Sequence, residues 1–329
     1  MRRIALLSVL VVALAGFLVA IQGSPAVAWE PKEAIEFIAP ANPGGGWDTI
    51  CRTSARVFKK TGLVTKPAYV KNMPGGSGSV AIAYVVEKRK GDNNLLVAAS
   101  NSLTFSMAIK RTPYTYDDVT PLAQVASEYG GYVVRTDSKF KTLADLVKAL
   151  KADRKSVTFA GGSAPGSLDH IKVALLAKEI GVDPLEVIYV PYQGGGEALA
   201  SLLGGHVDVG SLDVSEVAGQ LEAGKVRVLA VQSESRLKGF PNLPTAREQG
   251  VDVVFTVWRG LYMAPGVSKS AKKFWVETIK KMVATPEWNA EREKLGWEPV
   301  VKFGDDFEKY VKGEHQRYKS LLKELGFLK

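Results

Sequence analysis

One cysteine, Cys51, and three histidines, His170, His206 and His315, are all that 329 residues contain of these two types. No intramolecular disulfide can form. Neither His-Glu-x-x-His nor Cys-x-x-Cys occurs, so a zinc site has no support and no metal ligand is assigned. A Gly-x-Ser-x-Gly nucleophile elbow and a Walker phosphate loop are also missing. Basic residues exceed acidic ones to give a net charge of +9, but they are scattered and no basic-aromatic cluster appears. Their densest runs read as solvated helix faces and not as a nucleic-acid surface. One enzyme-like signal remains, Gly76-Ser77-Gly78-Ser79-Val80-Ala81, which satisfies Gly-x-Gly-x-x-Ala after a short strand. A dinucleotide site also needs an acidic residue about twenty positions on, at the end of a second strand. Asp92 comes earlier and sits in a Gly-Asp-Asn turn. No cofactor is expected, and the chain reads as a binder and not an enzyme.

Long apolar runs are confined to the N-terminus. Arg2 and Arg3 precede Ile4 to Ile21, and Ala26-Val27-Ala28 follows. These are the three parts of a secretory signal peptide, with cleavage expected after Ala28 and export to the periplasm. The run is also nearly long enough for an uncleaved anchor. Loss of Arg2 and Arg3 leaves a charge of +7, since residues 1–28 hold no acid. The roughly 300 residues that remain suffice for two domains.

Glycine is plentiful, and it is grouped. From Ile35 to Arg52 an apolar run is cut by Pro43 and three glycines, Gly44, Gly45 and Gly46, followed by Trp47, Asp48 and residues with helical potential. A strand, a glycine loop and a helix N-terminus aim unpaired amides and the positive helix end at one point, a natural seat for a carboxylate or phosphate. The rhythm recurs. A loop with Gly75, Gly76 and Ser77 precedes a helix over 79–90, and a strand over 95–100 ends in Ser100-Asn101-Ser102. Residues 122–135, with Gly130-Gly131, read as an extended crossing between domains. A helix is expected over 136–152, then a strand over 156–160 and a loop bearing Ser163 and Ser167. The loop 191–196 ends in Gly194, Gly195 and Gly196 before a helix over 197–203. Strands over 207–210 and 226–232 flank a helix over 215–222. Six such units imply parallel sheets flanked by helices, with ligands bound beyond the carboxyl ends of the strands. A strand over 253–263 returns the chain, and helices fill the rest from Ser268, with Pro286 as a stop and Asp305 opening the last one. The expected division is 29–129 plus 254–329 as one domain and 130–253 as the other.

Several glycine and hydroxyl loops without a nucleophile or base favour binding over turnover, because main-chain donors hold an anion without a buried countercharge. The candidate ligand residues are therefore Asn42, Gly44, Gly45, Gly46, Trp47, Asp48, Gly75, Gly76, Ser77, Ser100, Asn101, Ser102, Ser163, Ser167, Gly194, Gly195, Gly196, Asp213 and Arg259. Alternatives stand beside several. Asp48 also reads as an N-cap for the amides of residues 49–51, Trp47 as packing under its loop, and Ser163, Ser167 and Asp213 as helix caps. His170 reads as a buried helical residue. Arg259, between Trp258 and Gly260, offers a fork of donors for a second or third carboxylate or for an interdomain ion pair.

The order and spacing of these loops resemble the extracytoplasmic solute-binding proteins of tripartite tricarboxylate transporters, the TctC or Bug group. The family's Pro-Gly-Gly-x-x-Asp is similar to Pro43-Gly44-Gly45-Gly46-Trp47-Asp48, and its Asn followed by Pro-Gly to Asn72-Met73-Pro74-Gly75-Gly76-Ser77-Gly78. Its Gly-Ser-x-x-His is met by Gly166-Ser167-Leu168-Asp169-His170. Its Pro-Tyr-x-Gly, continuing to Leu-Leu-Gly-Gly-x-Val-Asp, is met by residues 191–194 and 202–208. The resemblance implies a type II periplasmic-binding-protein fold, two α/β domains around a cleft, and a carboxylate held largely by main chain and water. It also implies a monomer that delivers its ligand to large and small integral membrane subunits. Gly-Gly-Gly-Trp-Asp and Gly-Gly-Gly-Glu-Ala look most like members for citrate-type tricarboxylates; a dicarboxylate, an aromatic carboxylate or a sensor role are the alternatives. Many relatives have Gly where Ser77 stands and Pro where Glu197 stands.

Overall fold

The structure is a computed structural model that describes residues 29–329. The expected leader, its cleavage after Ala28 and the anchor alternative lie outside the described residues. Strands β1 (Ile35–Ala39), β2 (Ala68–Asn72) and β3 (Leu95–Ser100) pair in parallel, with β1 central. Between them run helix α1 (Gly46–Thr61) and helix α2 (Ser79–Lys88). Helix α3 (Asn101–Ala108) leaves β3 directly, its first amides turned back on the Ser100 side chain.

The crossing strand is β4 (Thr120–Arg135), 16 residues long. Up to Tyr129 it pairs with β9 (Thr256–Met263), which also pairs with β3; from Gly130 onward it pairs with β7 (Val209–Asp213) and β8 (Val226–Val231). Two sheets thus share one strand, and Gly130-Gly131 marks the change. A Cβ on Gly130 would fall 2.5 Å from the Lys172 stem, and one on Gly131 would fall 2.9 Å from the Ala230 carbonyl. Both glycines are required by close approach, not by an unusual φ. The second sheet continues through β5 (Thr158–Gly161) to β6 (Ile188–Pro191), parallel to one another and to β7. Helices α4 (Leu143–Ala152), α5 (Leu168–Glu179), α6 (Gly195–Leu203) and α7 (Val214–Glu222) cover it. Its core is aliphatic, with Leu146, Phe159, Val173 and Val209 fully buried.

The parallel strands occur where strand, loop and helix alternate, but β4, β8 and β9 join them antiparallel, so each sheet is mixed. Several boundaries differ from the sequence reading, four of them for a visible local reason. Helix α4 starts at Leu143 and not 136, because Thr142 and Asp145 form a reciprocal capping box there. Helix α6 begins two residues early at Gly195, with Glu197 reaching back to accept from the Gln193 amide. Pro286 breaks α8 (Lys269–Ala284) but then opens α9 (Pro286–Lys294) as its first residue, where a missing N–H costs nothing. Strand β10 (Lys302–Phe303), which pairs with β4, precedes α10 (Gly304–Glu324). This last helix opens at Gly304 without a side-chain cap, so Asp305 lies inside its first turn. The architecture is the type II periplasmic-binding-protein fold.

Candidate functional site

The loops at the carboxyl ends of β1, β5, β6 and β7 meet around one small cavity of about 30 Å³. Three helices point their N-termini into this region with no side-chain cap bond at Gly45 for α1, Ser167 for α5 or Gly194 for α6. No N-cap side chain takes these first-turn amides, although Ser163 reaches one in α5 and Glu216 one in α1, and the positive end of each helix dipole faces the cavity. Glycine is obligatory at the contacts between loops. A Cβ on Gly162 would lie 2.2 Å from the Gly195 amide nitrogen, and one on Gly46 would lie 2.1 Å from the Arg259 guanidinium. The loops also bond across the cleft: the Asn42 amide donates to the Gln193 carbonyl (2.8 Å) and the Ala164 amide to Ser77 Oγ (2.8 Å).

Of the expected residues, Gly45, Gly46, Trp47, Ser100, Ser102, Ser163, Gly194, Gly195, Asp213 and Arg259 line the cavity. Trp47 does both things weighed for it: its ring packs on Gly78 and its face lines the cavity, while its buried Nε1 has no protein acceptor among the described residues. Ser167 stands just behind, its hydroxyl 3.0 Å from that of Ser102, and Ser163 Oγ accepts from the Asp169 amide in α5's first turn. Gly44 and Gly196 contact one another across the loops without lining the cavity. Gly75 and Gly76 shape the turn that holds Ser77, whose φ of 53° is left-handed. Asn42 bonds Glu197 at the exposed margin.

Two residues are occupied elsewhere. Asp48 is not an N-cap, since Gly45 holds that position. Its carboxylate accepts from the Gly44 amide, from Asn72 and from Arg52, which together outweigh burial and hold its pKa below the ordinary value. Asn101 donates to the Thr256 carbonyl and to Tyr318 and accepts from the Trp258 amide, pinning α3 to β9.

Beneath the glycine loops lies a buried ionic floor. Arg259, 2 % exposed, bonds Glu128 through Nε and Asp213 through Nη2. Lys172, fully buried, sits 2.7 Å from both Asp169 and Asp213. Ser215 donates to Glu128 (2.6 Å). Glu216 accepts from the Gly46 amide (2.9 Å) and, closing a capping box, from the Asp213 amide (3.0 Å). Four carboxylates therefore face two cations. Burial alone would raise the Asp213 carboxyl, but Lys172 and Arg259 outweigh it and hold it down. Glu128 and Asp169 are raised by burial, which their cations do not fully offset. Among the described residues Glu216 has no cation within ion-pairing distance, and burial, aided by the charges of Asp213 and Asp169, pushes it up to about 8. Sequence reasoning missed Glu128, Asp169, Lys172, Glu216 and Gly162. The available signal was a charge inside an otherwise apolar element, Glu128 in β4 and Lys172 in α5.

His170 accepts the Gly166 amide on Nδ1 (3.0 Å) and stacks 4.4 Å from Tyr189; burial lowers it to about 4, so it is a neutral packing residue. Among the described residues no group of three His, Cys, Asp or Glu could hold a metal ion, and no helix is long and apolar enough to cross a membrane.

Residues 50–327 match the family model described as the tripartite tricarboxylate transporter family receptor. The chain belongs to that family of solute-binding receptors. It is 28% identical, over 91% of its length and 89% of the other, to a Cupriavidus necator protein described as the UPF0065 protein in the gbd 5′ region. Among solved structures, periplasmic binding protein BugD matches at a TM-score of 0.83 and 22% identity, covering 91% of this chain and 99% of BugD. An R. palustris protein with adipate matches at 0.81 and 24%, covering 90% and 98%.

Proposed function

We propose that the protein is a periplasmic receptor, not an enzyme, that captures a small organic acid and hands it to the large and small membrane subunits of a tripartite tricarboxylate transporter. The observation that carries this reading is the convergence of three helix N-termini, none capped by its own N-cap side chain, on one cavity lined by Ser100, Ser102, Ser163 and Trp47, whose buried Nε1 has no protein acceptor among the described residues. Such a site stabilises a carboxylate through oriented dipoles. Residues 29–129 with 254–329, and 130–253, act as lobes that close on β4 and β9. Export through a cleaved leader follows from residues 1–28.

Citrate-type tricarboxylates are the finer proposal, resting on the glycine-loop resemblance. A dicarboxylate is the second reading, and one observation favours it: Arg259, the fork a third carboxylate would need, already holds Glu128 and Asp213. The adipate in the R. palustris neighbour agrees with it. A thermal-shift panel of citrate, tricarballylate, succinate, adipate and an aromatic acid separates them. Ligand at 100 times its dissociation constant should add about 2.7 kcal/mol to stability. Chemical turnover of an acid, or a shift with NAD and none with acids, would overturn the receptor reading.

A further inference from the structure

The amide of Gly46 opens α1 beside the first turn of α6 in the cleft, and a carboxyl group already lies against both. Glu216 Oε1 accepts from Gly46 N at 2.9 Å. The same carboxyl fits so closely against Gly195 that a Cβ there would fall 2.2 Å from its carbon and from Oε1. Gly46 follows β1 and Glu216 lies in α7 after β7, so this bond joins the two sheets across the cleft. It is unlike an ordinary capping interaction, which would end with Oε2 on the Asp213 amide.

We infer that Glu216 is an internal competitor for the ligand's carboxylate, a side chain that occupies the α1 and α6 seat and sets which acids can take it. The inference rests on the reading that the cleft takes a carboxylate. Two groups cannot accept from one amide in the same place, so an incoming carboxylate must displace Glu216. Acetate can return little more than the bond it breaks. An acid with a second polar group can also reach the hydroxyls of Ser102 and Ser163 on the cavity wall, and it gains more than the displacement costs. The device therefore filters out short monocarboxylates. Charged or protonated, the carboxyl still offers acceptor oxygens to the seat.

The test is titration calorimetry on the mature chain, stripped of ligand by unfolding and refolding, with acetate, succinate and citrate as probes. Glu216→Ala should bind acetate and succinate at least tenfold more tightly, with the larger gain for acetate. Glu216→Gln keeps the acceptor for the capping box and should gain less; it serves if the alanine variant fails to fold. Weaker binding of every acid in both variants would make Glu216 a ligand contact, and unchanged binding would place it outside the site; either overturns the inference. Should wild type bind no acid, the receptor reading fails separately. Solution scattering then still tests whether Glu216 occupies the seat and ties the two sides of the cleft through Gly46: stripped wild type should have a smaller radius of gyration than Glu216→Ala, and equal radii would overturn the inference.

Discussion

The rim of the cleft and its floor recognise charge by opposite means. The rim is glycine and serine, and its donors are backbone amides fixed by helix starts at Gly45, Ser167 and Gly194. The floor is a closed set of side-chain charges in which Arg259 and Lys172 share Asp213. Rim donors are neutral and lose little when a ligand leaves. Floor charges are buried, and removing either sign strands its partner at high cost. Neutral donors thus face the cavity from above, and a fixed set of paired charges lies below it.

The largest effect that could break this contrast is expected at Arg259. Replacing it with Leu leaves Glu128 and Asp213 buried without their guanidinium and should cost about 3–5 kcal/mol of fold stability. Urea unfolding of wild type and Arg259→Leu measures it. An intact fold with binding of polycarboxylates alone lost would move Arg259 from the floor to the ligand, the role considered from sequence.

The rim has its own weak point in acid. His170 holds the Gly166 amide at the start of α5 only while Nδ1 is unprotonated. Its folded pKa, about 4, lies below the ordinary 6.5. The folded state thus binds fewer protons than the unfolded chain between those values. The resulting stability is present above pH 6.5 and is lost as pH falls toward 4, an effect on the order of 3 kcal/mol. Comparing the acid limbs of wild type and His170→Gln isolates it; parallel limbs would show that His170 is not buried neutral.

How legible each layer was follows from where its parts lie. Rim residues are contiguous, since a glycine loop must sit between its own strand and helix, and Pro43-Gly44-Gly45-Gly46 and Gly194-Gly195-Gly196 announce themselves. The parallel β-loop-α units were legible for the same reason. Floor residues come from five elements: Glu128 in β4, Asp169 and Lys172 in α5, Asp213 in β7, Glu216 in α7 and Arg259 in β9. Arg259 and Asp213 could be singled out as a lone cation and a strand-ending acid. Their pairing could not, because the registers of β9 and of β7 on β4 decide it together, and the β4–β9 register carries two irregularities. Asn101 was misjudged for a related reason: its partners Thr256, Trp258 and Tyr318 are more than 150 residues away.

The smallest effect separates closure from folding, at Ser77. Its hydroxyl accepts the Ala164 amide across the cleft, while its backbone pays for a left-handed φ of 53°. Ser77→Ala removes the acceptor and keeps the strain. Closure then leaves an amide unmet at a cost of about 1 kcal/mol, or roughly fivefold in affinity. Ser77→Gly loses the same bond but relaxes the backbone, worth about 1 kcal/mol of fold stability in the favourable direction. The two variants should therefore weaken ligand binding equally while their melting temperatures move apart, glycine above alanine. Calorimetry and thermal unfolding on the same samples check both halves. If Ser77→Ala binds like wild type, the Ser77 bond forms no part of closure; if the melting temperatures coincide, the turn is not strained, and the rim owes its shape to Gly75, Gly76 and Gly78 alone.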